Sequence, residues 1–460
     1  MRGALTLQHA LEQISPNRIM ADVATLSSAR FRGRQAGTED DQQSATWVSE
    51  QFKTAGLSLA DDTSTGVMTS VISAPFIEGD PFLSIGAMSA TQPKHMTTDF
   101  IPVLDSPSAE IHAPIVFVGY GTPEDYAAVD VHECLVLFLR GKADHESRPF
   151  SHAEKVRLAK AHGAAGYLMA VGPVLKNYEV RRGLSGSPSA FYAQVPQADA
   201  IPGAWISTPV AEEILASSGT GAAGRLQEIQ DRLNRLPASQ SVRTGQYGVL
   251  RWKTRVTEGL LTNVLARLPG TGPATIILGA HRDLFGHTAG LVFPGADDNA
   301  SGTAVLLEVG RVLAQRGWRP TRSLLFISFS GEEKDLLGSR QYIARPIVPL
   351  SATTAMINVD HAGAGNGRLT VGVTGMKNAI AAEAGQSAGL ADKLDLFGFF
   401  PGGDHVPFKE AGVPTVTVVS GGIHPHFHQP SDTADTVDPQ IVQAVARYIL
   451  ALTWHMATTP

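Results

Sequence analysis

The sequence predicts an α/β fold with a mixed, mostly parallel central sheet flanked by helices. After residue 251, short apolar strands alternate with helical segments, which is typical of such a sheet. The strands are apolar at nearly every position, as expected where helices cover both faces of a sheet. Of the 460 residues, 43% are hydrophobic and only 17% are charged, so the chain can bury a large core.

The helices are predicted from apolar spacing and from capping residues. Residues 18–60 show helical spacing, which a loop interrupts at 31–38. Residues 302–316 place apolar side chains on one face, and Asp438 followed by Pro439 is typical of a helix start. The strands of the sheet are predicted at 263–267, 275–278, 324–329, 356–359 and 415–419.

The region from about residue 93 to residue 247 predicts a separate small domain. Short β-rich runs at 115–118 and 135–139 are followed by glycines, and a helical stretch at 152–162 leads into a third run at 167–171. These short strands differ in spacing from those that follow residue 251.

Charge and composition exclude several classes of partner. The 37 Lys and Arg residues against 43 Asp and Glu residues give a net charge of -6, so we expect no nucleic-acid partner. No run approaches the roughly 18 apolar residues of a membrane span. Residues 1–17 lack the apolar stretch of a signal peptide, so no leader is predicted, which leaves the compartment open. The single cysteine, Cys134, precedes an apolar run and is expected to be a buried thiol.

Carboxylates and histidines follow the carboxyl ends of the predicted strands, the edge at which open α/β sheets build their sites. They are His281 and Asp283, the pair Glu332 and Glu333, Asp360, the loop residues Asp297 and Asp298, and His424, His426 and His428 after the last strand.

Two histidines and three carboxylates without cysteine are the ligand set of a two-metal hydrolytic site. Such a site also needs a carboxylate that is held off the metals as a general base. The pair Glu332 and Glu333 meets this need, because adjacent side chains in irregular backbone point in different directions. On chemistry alone, His424 and His426 compete with His428, and Asp297 competes with Asp298.

The sequence resembles the M28 family of zinc aminopeptidases across most of its length. The motifs that carry the resemblance occur in order: residues 31–38, 263–270 (NVLARLPG), 279–283 (GAHRD), 294–302 (PGADDNASG), 331–333 with 338–339, 357–360 (INVD), 404–408 (DHVPF) with 412–414, and His428 ahead of Asp432 and Thr433. Residues 95–250 resemble the protease-associated (PA) domain that is inserted in many such enzymes. The resemblance therefore implies a discontinuous peptidase domain at 1–94 and 251–460 with a PA insert at 95–250.

The resemblance also assigns roles to individual residues. It implies two Zn²⁺ ions per chain, with His281 and Asp360 on one and Glu333 and His428 on the other. Asp298, the second aspartate of its motif, becomes the bridge between them. Glu332 becomes the general base on the bridging water. Asp283 is implied to hydrogen-bond the imidazole of His281, and the peptide bond from Asp298 to Asn299 is implied to be cis.

Two residues depart from the family pattern. Arg282 occupies a position that is often Tyr or Leu, and His361 follows Asp360 where an apolar residue or Met is more usual. Neither change removes an implied ligand, and His361 is a candidate oxyanion donor. Asp404 and His405 are expected to border the substrate pocket or to hold a structural turn.

The function implied by the resemblance is an aminopeptidase that removes N-terminal residues from peptide substrates. A carboxypeptidase or dipeptidase of the same fold is an alternative, but it would need clustered arginines, and Arg282 and Arg368 are isolated in sequence. A glutaminyl cyclase is expected to use one zinc, and a non-catalytic peptidase-like receptor is expected to lack ligands. Because residues 95–250 contain none of the ligands, the insert is expected to act in access or substrate selection.

Overall fold

The computed structural model of the chain describes residues 5–60, 65–148, 150–175, 184–216, 225–315 and 318–458. These residues divide into two compact units. The first unit comprises the described parts of 1–74, 257–287 and 292–460, and the second those of 75–256 and 288–291.

The strands are numbered here in chain order. They are β1 (Ser58–Leu59), β2 (Val67–Ala87), β3 (Ala90–Pro93), β4 (Phe100–Pro102), β5 (Ala109–Phe117), β6 (Leu135–Leu139), β7 (Gly166–Ala170), β8 (Gly203–Ile206), β9 (Val242–Leu268), β10 (Thr275–His281), β11 (Gly286–Thr288), β12 (Leu291–Phe293), β13 (Ser323–Phe329), β14 (Thr353–Val359), β15 (Leu369–Thr374), β16 (Leu394–Phe397) and β17 (Thr415–Ser420).

The α-helices are numbered in the same way. They are α1 (Leu7–Glu12), α2 (Pro16–Leu26), α3 (Glu39–Thr54), α4 (Pro123–Ala127), α5 (His152–Ala161), α6 (Thr208–Ala216), α7 (Arg225–Arg235), α8 (Gly302–Leu313), α9 (Leu337–Ala344), α10 (Ala379–Ala388), α11 (His405–Glu410) and α12 (Pro439–Thr458).

The first unit is built on a mixed, mostly parallel sheet, as predicted. Its strand order is β16-β15-β17-β14-β10-β13, followed by the carboxyl-terminal part of β9. Strand β10 pairs in parallel with both β13 and β14, and β14 pairs in parallel with β17. The carboxyl ends of these central strands therefore meet at one edge of the sheet, where the polar residues predicted for the site follow them.

Helices cover both faces of this sheet. One core cluster joins α2, α3, α8 and α12 to one face of the central strands. A smaller cluster, which includes Tyr342 of α9 and Phe408 of α11, covers the other face. Because both faces are buried, every residue of β10 and β13 is buried, which explains their nearly continuous apolar sequences.

Local sequence explains where the main helices begin. The Thr38 side chain accepts a hydrogen bond from the backbone N–H of Asp41 at the start of α3. Helix α12 begins at Pro439, and Oδ1 of Asp438 accepts a hydrogen bond of 2.7 Å from the backbone N–H of Gln440. The helix predicted at 302–316 runs from Gly302 to Leu313, and Arg316 lies outside the described residues.

The second unit contains a separate set of parallel strands. Strands β5, β6, β7 and β8 pair in parallel in that order, with β4 antiparallel to β8 and the amino-terminal part of β9 antiparallel to β5. Its core includes Phe117, Leu137, Leu168 and Ile206. The units divide at residues 74/75 and 256/257. The domains at 1–94 with 251–460 and at 95–250 stay a prediction. The identity of residues 95–250 as a PA domain stays a prediction.

Among the residues that the structure describes, no helix combines the length and apolar character that crossing a membrane would require.

Candidate metal centre

The structure brings the predicted metal ligands together beyond the carboxyl ends of three parallel strands. His281 is the last residue of β10, Asp360 follows β14 directly, and Glu333 lies in the loop after β13. Asp298 and His428 come from two further loops. Two groups of potential ligand atoms result, each with its atoms within 4.8 Å of one another: His281 with Glu332 and Asp360, and Asp298 with Glu333 and His428.

His281 connects the first group to Asp298. Its Nε2 lies 3.2 Å from Oδ1 of Asp360 and 3.4 Å from Oδ1 of Asp298. The His281 side chain is buried, and Glu332 also lies among its charged neighbours.

The second group uses the other oxygen of the same aspartate. Nε2 of His428 lies 3.1 Å from Oδ2 of Asp298 and 3.4 Å from Oε1 of Glu333. The two oxygens of Asp298 therefore face two different histidines, an arrangement expected of a carboxylate that bridges two metal positions.

The backbone that carries Asp298 has an unusual conformation. Residues Ala296–Ser301 form a kinked segment before α8, in which Asp298 and Asn299 have non-helical φ and ψ angles, and the peptide bond between them is cis, as the resemblance implies. The carboxylate of Asp432 accepts hydrogen bonds from the backbone N–H groups of Asp297 (2.8 Å) and Asp298 (3.0 Å). Asp432 therefore fixes the loop that presents Asp298.

Glu332 faces the first group, whereas its neighbour Glu333 faces the second. Burial, together with the charges of Glu333 and Asp360, raises the pKa of Glu332 well above its usual range, although His281 opposes this shift. Burial also raises the pKa of Glu333. The two adjacent glutamates thus point to different places, as the sequence predicts for irregular backbone beyond a strand.

Asp283 contacts both His281 and the Glu332 loop. Its backbone carbonyl oxygen lies 3.1 Å from Nδ1 of His281, and its Oδ1 lies 3.7 Å from the same nitrogen. The same Oδ1 accepts a hydrogen bond of 3.2 Å from the backbone N–H of Glu332. Of the oxygens of Asp283, the backbone carbonyl is therefore the nearest to the His281 imidazole. The Asp283 carboxylate orients the loop that carries Glu332.

Buried arginines hold the site loops from behind. Arg34, from the loop at 31–38, donates to the carbonyl oxygens of Arg282, Pro294 and Gly295. Arg282 is fully buried and forms a 2.6 Å ion pair with Asp41 of α3. The sequence identified the loop and Arg282 but not these roles, because hydrogen bonds to carbonyl oxygens leave no local sequence pattern.

The remaining candidates occupy different positions. Nδ1 of His424 lies 2.5 Å from Oδ2 of Asp297. His424 therefore belongs to a separate group of potential ligands, which it forms with Asp297 and His361. His426 is outside the described groups of potential ligands and contacts Ser431. Of the three histidines in this loop, His428 is thus the one that faces Asp298 and Glu333.

Asp404 and His405 lie at the start of α11. Asp404 is fully buried, and burial raises its pKa to about 7. Nε2 of His405 lies 2.8 Å from the carbonyl oxygen of Phe400, and burial lowers the pKa of this imidazole to about 4. Their place at the border of a substrate pocket stays a prediction.

The donor set of the centre fits divalent metal ions. Imidazole nitrogens and carboxylate oxygens in the absence of thiolate suit Zn²⁺ and similar ions. Four carboxylates, those of Asp298, Glu332, Glu333 and Asp360, converge there with three imidazoles, those of His281, His361 and His428. Such crowding of negative charge is unfavourable unless cations balance it.

Comparison with known proteins finds similarity to a family of peptidases. Residues 263–453 match the sequence profile described as peptidase family M28. This segment contains every predicted metal ligand, and also Glu332 and Asp283.

Curated relatives match at moderate identity. The protein named probable glutamate carboxypeptidase AMP1 of Arabidopsis thaliana is 28% identical over 374 residues, which is 72% of this chain and 50% of that protein. Aminopeptidase YwaD of Bacillus subtilis is 29% identical over 173 residues, 35% of this chain and 38% of that one. The chain thus spans half or less of these two relatives. Together with the family match, these relatives support the predicted similarity to M28 peptidases.

Solved structures share the fold. The aminopeptidase from Aneurinibacillus sp. strain AM-1 superposes with a TM-score of 0.70 at 22% identity, covering 98% of this chain and 97% of the other. BSAP, a zinc aminopeptidase from Bacillus subtilis, gives a TM-score of 0.68 at 20% identity, covering 97% and 96%. These similarities confirm the predicted fold class.

Proposed function

We propose that the protein is a metal-dependent aminopeptidase that binds two zinc ions and removes N-terminal residues from peptides. His281 and Asp360 would hold one ion, Glu333 and His428 the other, and Asp298 would bridge them. The observation that carries the proposal is the placement of the two Asp298 oxygens, one against His281 at 3.4 Å and the other against His428 at 3.1 Å. The zinc aminopeptidase among the structural neighbours supports the choice of metal.

The catalytic base in this proposal is Glu332. Bound zinc ions supply Lewis-acid polarisation of the scissile carbonyl and acidify water at the centre. The Glu332 carboxylate takes a proton from the attacking water and returns it to the leaving amine. Asp283 orients this loop through the hydrogen bond that its carboxylate accepts from the Glu332 backbone N–H.

The partners of two arginines disfavour recognition of a substrate carboxylate. Both arginines considered from the sequence form ion pairs within the protein. Arg282 pairs with Asp41 in the interior, and Arg368 pairs with Asp395 at 2.7 Å. A carboxypeptidase would need such side chains to bind the terminal carboxylate. The free α-amine of a peptide would instead be held at the metal centre or by a nearby carboxylate.

The second unit is proposed to act on substrate access. The predicted PA insert at 95–250 contains none of the proposed ligands, so it has no part in the chemical step. Its effect is expected in the preference for longer peptides.

A substrate panel tests the proposed function. The zinc-loaded protein would be assayed with aminoacyl chromogenic substrates, their N-acetylated forms, and N-acetylated dipeptides that end in Glu or Asp. We expect turnover of the free-amine substrates only, loss of turnover with a chelator, and recovery when zinc is restored. Turnover of N-acetylated dipeptides with acidic C-terminal residues would favour the carboxypeptidase alternative. No turnover of any substrate by zinc-loaded protein would contradict both.

A further inference from the structure

We propose that His361 is a further metal ligand of this centre, which binds through Nε2 an ion that Asp298 also holds. The inference rests on the proposed two-metal function but adds a ligand beyond the implied set of five. It starts from a group of potential ligand atoms, formed by Asp298, Asp360 and His361, whose members lie within 4.8 Å of one another.

The position of His361 agrees with direct coordination. The residue follows Asp360 at the end of β14, and its Nε2 lies 3.6 Å from Oδ2 of Asp298. Because bonds from zinc to nitrogen or oxygen measure about 2.0–2.2 Å, two ligands of one ion are separated by up to about 4 Å. The observed distance lies within this range.

A carboxylate lies on the opposite side of the ring, close to Nδ1 but without a hydrogen bond to it. Nδ1 of His361 lies 3.5 Å from Oδ2 of Asp297. Asp297 is itself held, because its Oδ1 accepts a 2.7 Å hydrogen bond from the backbone N–H of Gly363 and its Oδ2 lies 2.5 Å from Nδ1 of His424. Carboxylate–histidine–metal arrangements of this kind fix the tautomer of a ligating imidazole.

This orientation selects the nitrogen that would bind. With the proton on Nδ1 directed at Asp297, the lone pair of Nε2 points toward the Asp298 carboxylate. A lone pair opposite a carboxylate is repulsive unless a cation lies between them. Asp283 beside His281 and Asp297 beside His361 thus form two similar pairs on the same centre.

The backbone of His361 supplies an independent observation. Its φ of +44° lies in the left-handed region, which residues other than glycine seldom adopt. The backbone N–H and the hydroxyl of Ser420 both donate to the His361 carbonyl oxygen and hold this conformation. His428, a proposed ligand, shares the feature with a φ of +55°. Maintained strain of this kind is concentrated at functional sites.

Two variants separate coordination from simple packing. His361→Asn tolerates the left-handed backbone and keeps a donor near Nδ1, but it cannot reach the ion. His361→Gln is the second variant, since its longer side chain can place a polar atom near the Nε2 position. His426→Asn is the matched control, because this histidine contacts Ser431 and belongs to none of the groups of potential ligands found among the described residues.

The measurements are zinc stoichiometry, the dissociation constants of both ions by competition with a chelating indicator, and the visible spectrum of the Co²⁺-substituted protein. Loss of supporting partners of a ligand costs 10- to 100-fold in metal affinity, so loss of a ligand itself in His361→Asn is expected to weaken one ion by at least about 100-fold. The other ion and the His426→Asn control are expected to be unchanged. His361→Gln is expected to alter the Co²⁺ spectrum.

X-ray absorption spectroscopy of the zinc-loaded wild-type protein tests the proposal without any substitution. We expect scattering from three imidazoles, those of His281, His361 and His428, which together bind the two ions. Two imidazoles with unchanged zinc affinity and an unchanged Co²⁺ spectrum in His361→Asn would overturn the proposal while leaving the two-metal function intact. Failure of the wild-type protein to bind two ions would instead contradict the proposed function itself.

Discussion

The residues around the candidate metal centre form two layers with opposite electrostatic character. The metal-facing residues, defined as His281, Asp298, Glu332, Glu333, Asp360 and His428, place four carboxylates together with two imidazoles, and the His361 imidazole lies beside Asp298 and Asp360. The supporting residues, defined as Arg34, Asp41, Arg282 and Asp432, lie behind them and are matched with hydrogen-bond partners.

The comparison of the two layers distinguishes residues that stabilise the fold from residues that are expected to bind metal and substrate. Arg282 donates to the Asp41 carboxylate and to the carbonyl oxygens of Thr262 and Ser328, so its buried charge is compensated inside the protein. Compensation is uneven among the metal-facing carboxylates: burial and like charges raise the pKa values of Glu332 and Glu333, whereas the facing histidines outweigh burial and lower those of Asp298 and Asp360. Changes in the supporting layer should therefore affect unfolding first, and changes in the metal-facing layer should affect metal binding and turnover first.

The largest effect is expected in the supporting layer. Asp41→Asn removes the anion that faces Arg282, and both side chains are fully buried. An uncompensated buried charge costs about 3–5 kcal/mol, so the free energy of unfolding in urea should fall by this amount. Asp395→Asn, which breaks the exposed pair with Arg368, is the control and should cost less than about 1 kcal/mol. Equal effects of the two substitutions would remove the distinction between the layers.

In the metal-facing layer, Glu332→Gln should leave both ions bound while turnover falls by at least about 100-fold. A positioned general base typically contributes this much or more, and the amide cannot accept the proton. Zinc content and steady-state kinetics on the same preparation measure both quantities. Loss of an ion from this variant would mean that the roles of Glu332 and Glu333 are exchanged.

Asp283 joins the two layers, so its substitution should have an intermediate effect. Asp283→Asn removes the charge that faces His281 and weakens the hydrogen bond to the Glu332 backbone. Partners of this kind typically contribute 10- to 100-fold to metal affinity or activity. Asp335→Asn, at an exposed aspartate of the neighbouring loop, is the control. Unchanged affinity and activity would reduce Asp283 to an ordinary turn residue.

The smallest effect concerns pH. Burial alone would lower the pKa of His428, but Glu333 and Asp298 raise it to about 9 in the absence of a cation. Below this value a proton occupies His428 and must leave before the metal binds. Apparent zinc affinity should therefore rise with pH between about 7 and 9, by up to about tenfold per unit for this proton. Calorimetry in buffers of different ionisation enthalpy should detect the released proton, and affinity independent of pH would contradict the assignment of His428.

The sequence predicts the central strands well because burial on both faces leaves an uninterrupted apolar signal. Strands β10, β13, β14 and β17 all contain their predicted segments. The length of β9 was missed, since residues 242–260 alternate between buried and exposed positions and only 263–267 form an apolar run. Strands β15 and β16 were missed as well; β16 has no fully buried residue in its pattern.

The candidate site shows a similar division. Strand ends and motif spacing identify His281, Glu333, Asp360 and the two competing aspartates, and the structure directs Asp298 to both histidines. The supporting contacts of Asp41, Arg34 and Asp432 join segments that are far apart in the chain. Because hydrogen bonds to backbone groups place few demands on neighbouring residue types, no local pattern reveals them.

The central claim is that one carboxylate, Asp298, bridges two metal positions. Anomalous diffraction at the zinc absorption edge from crystals of the zinc-loaded protein tests it most directly. The account predicts two peaks, one beside His281 and Asp360 and one beside Glu333 and His428, with Asp298 contacting both. A single peak, or two peaks of which one does not contact Asp298, would contradict it.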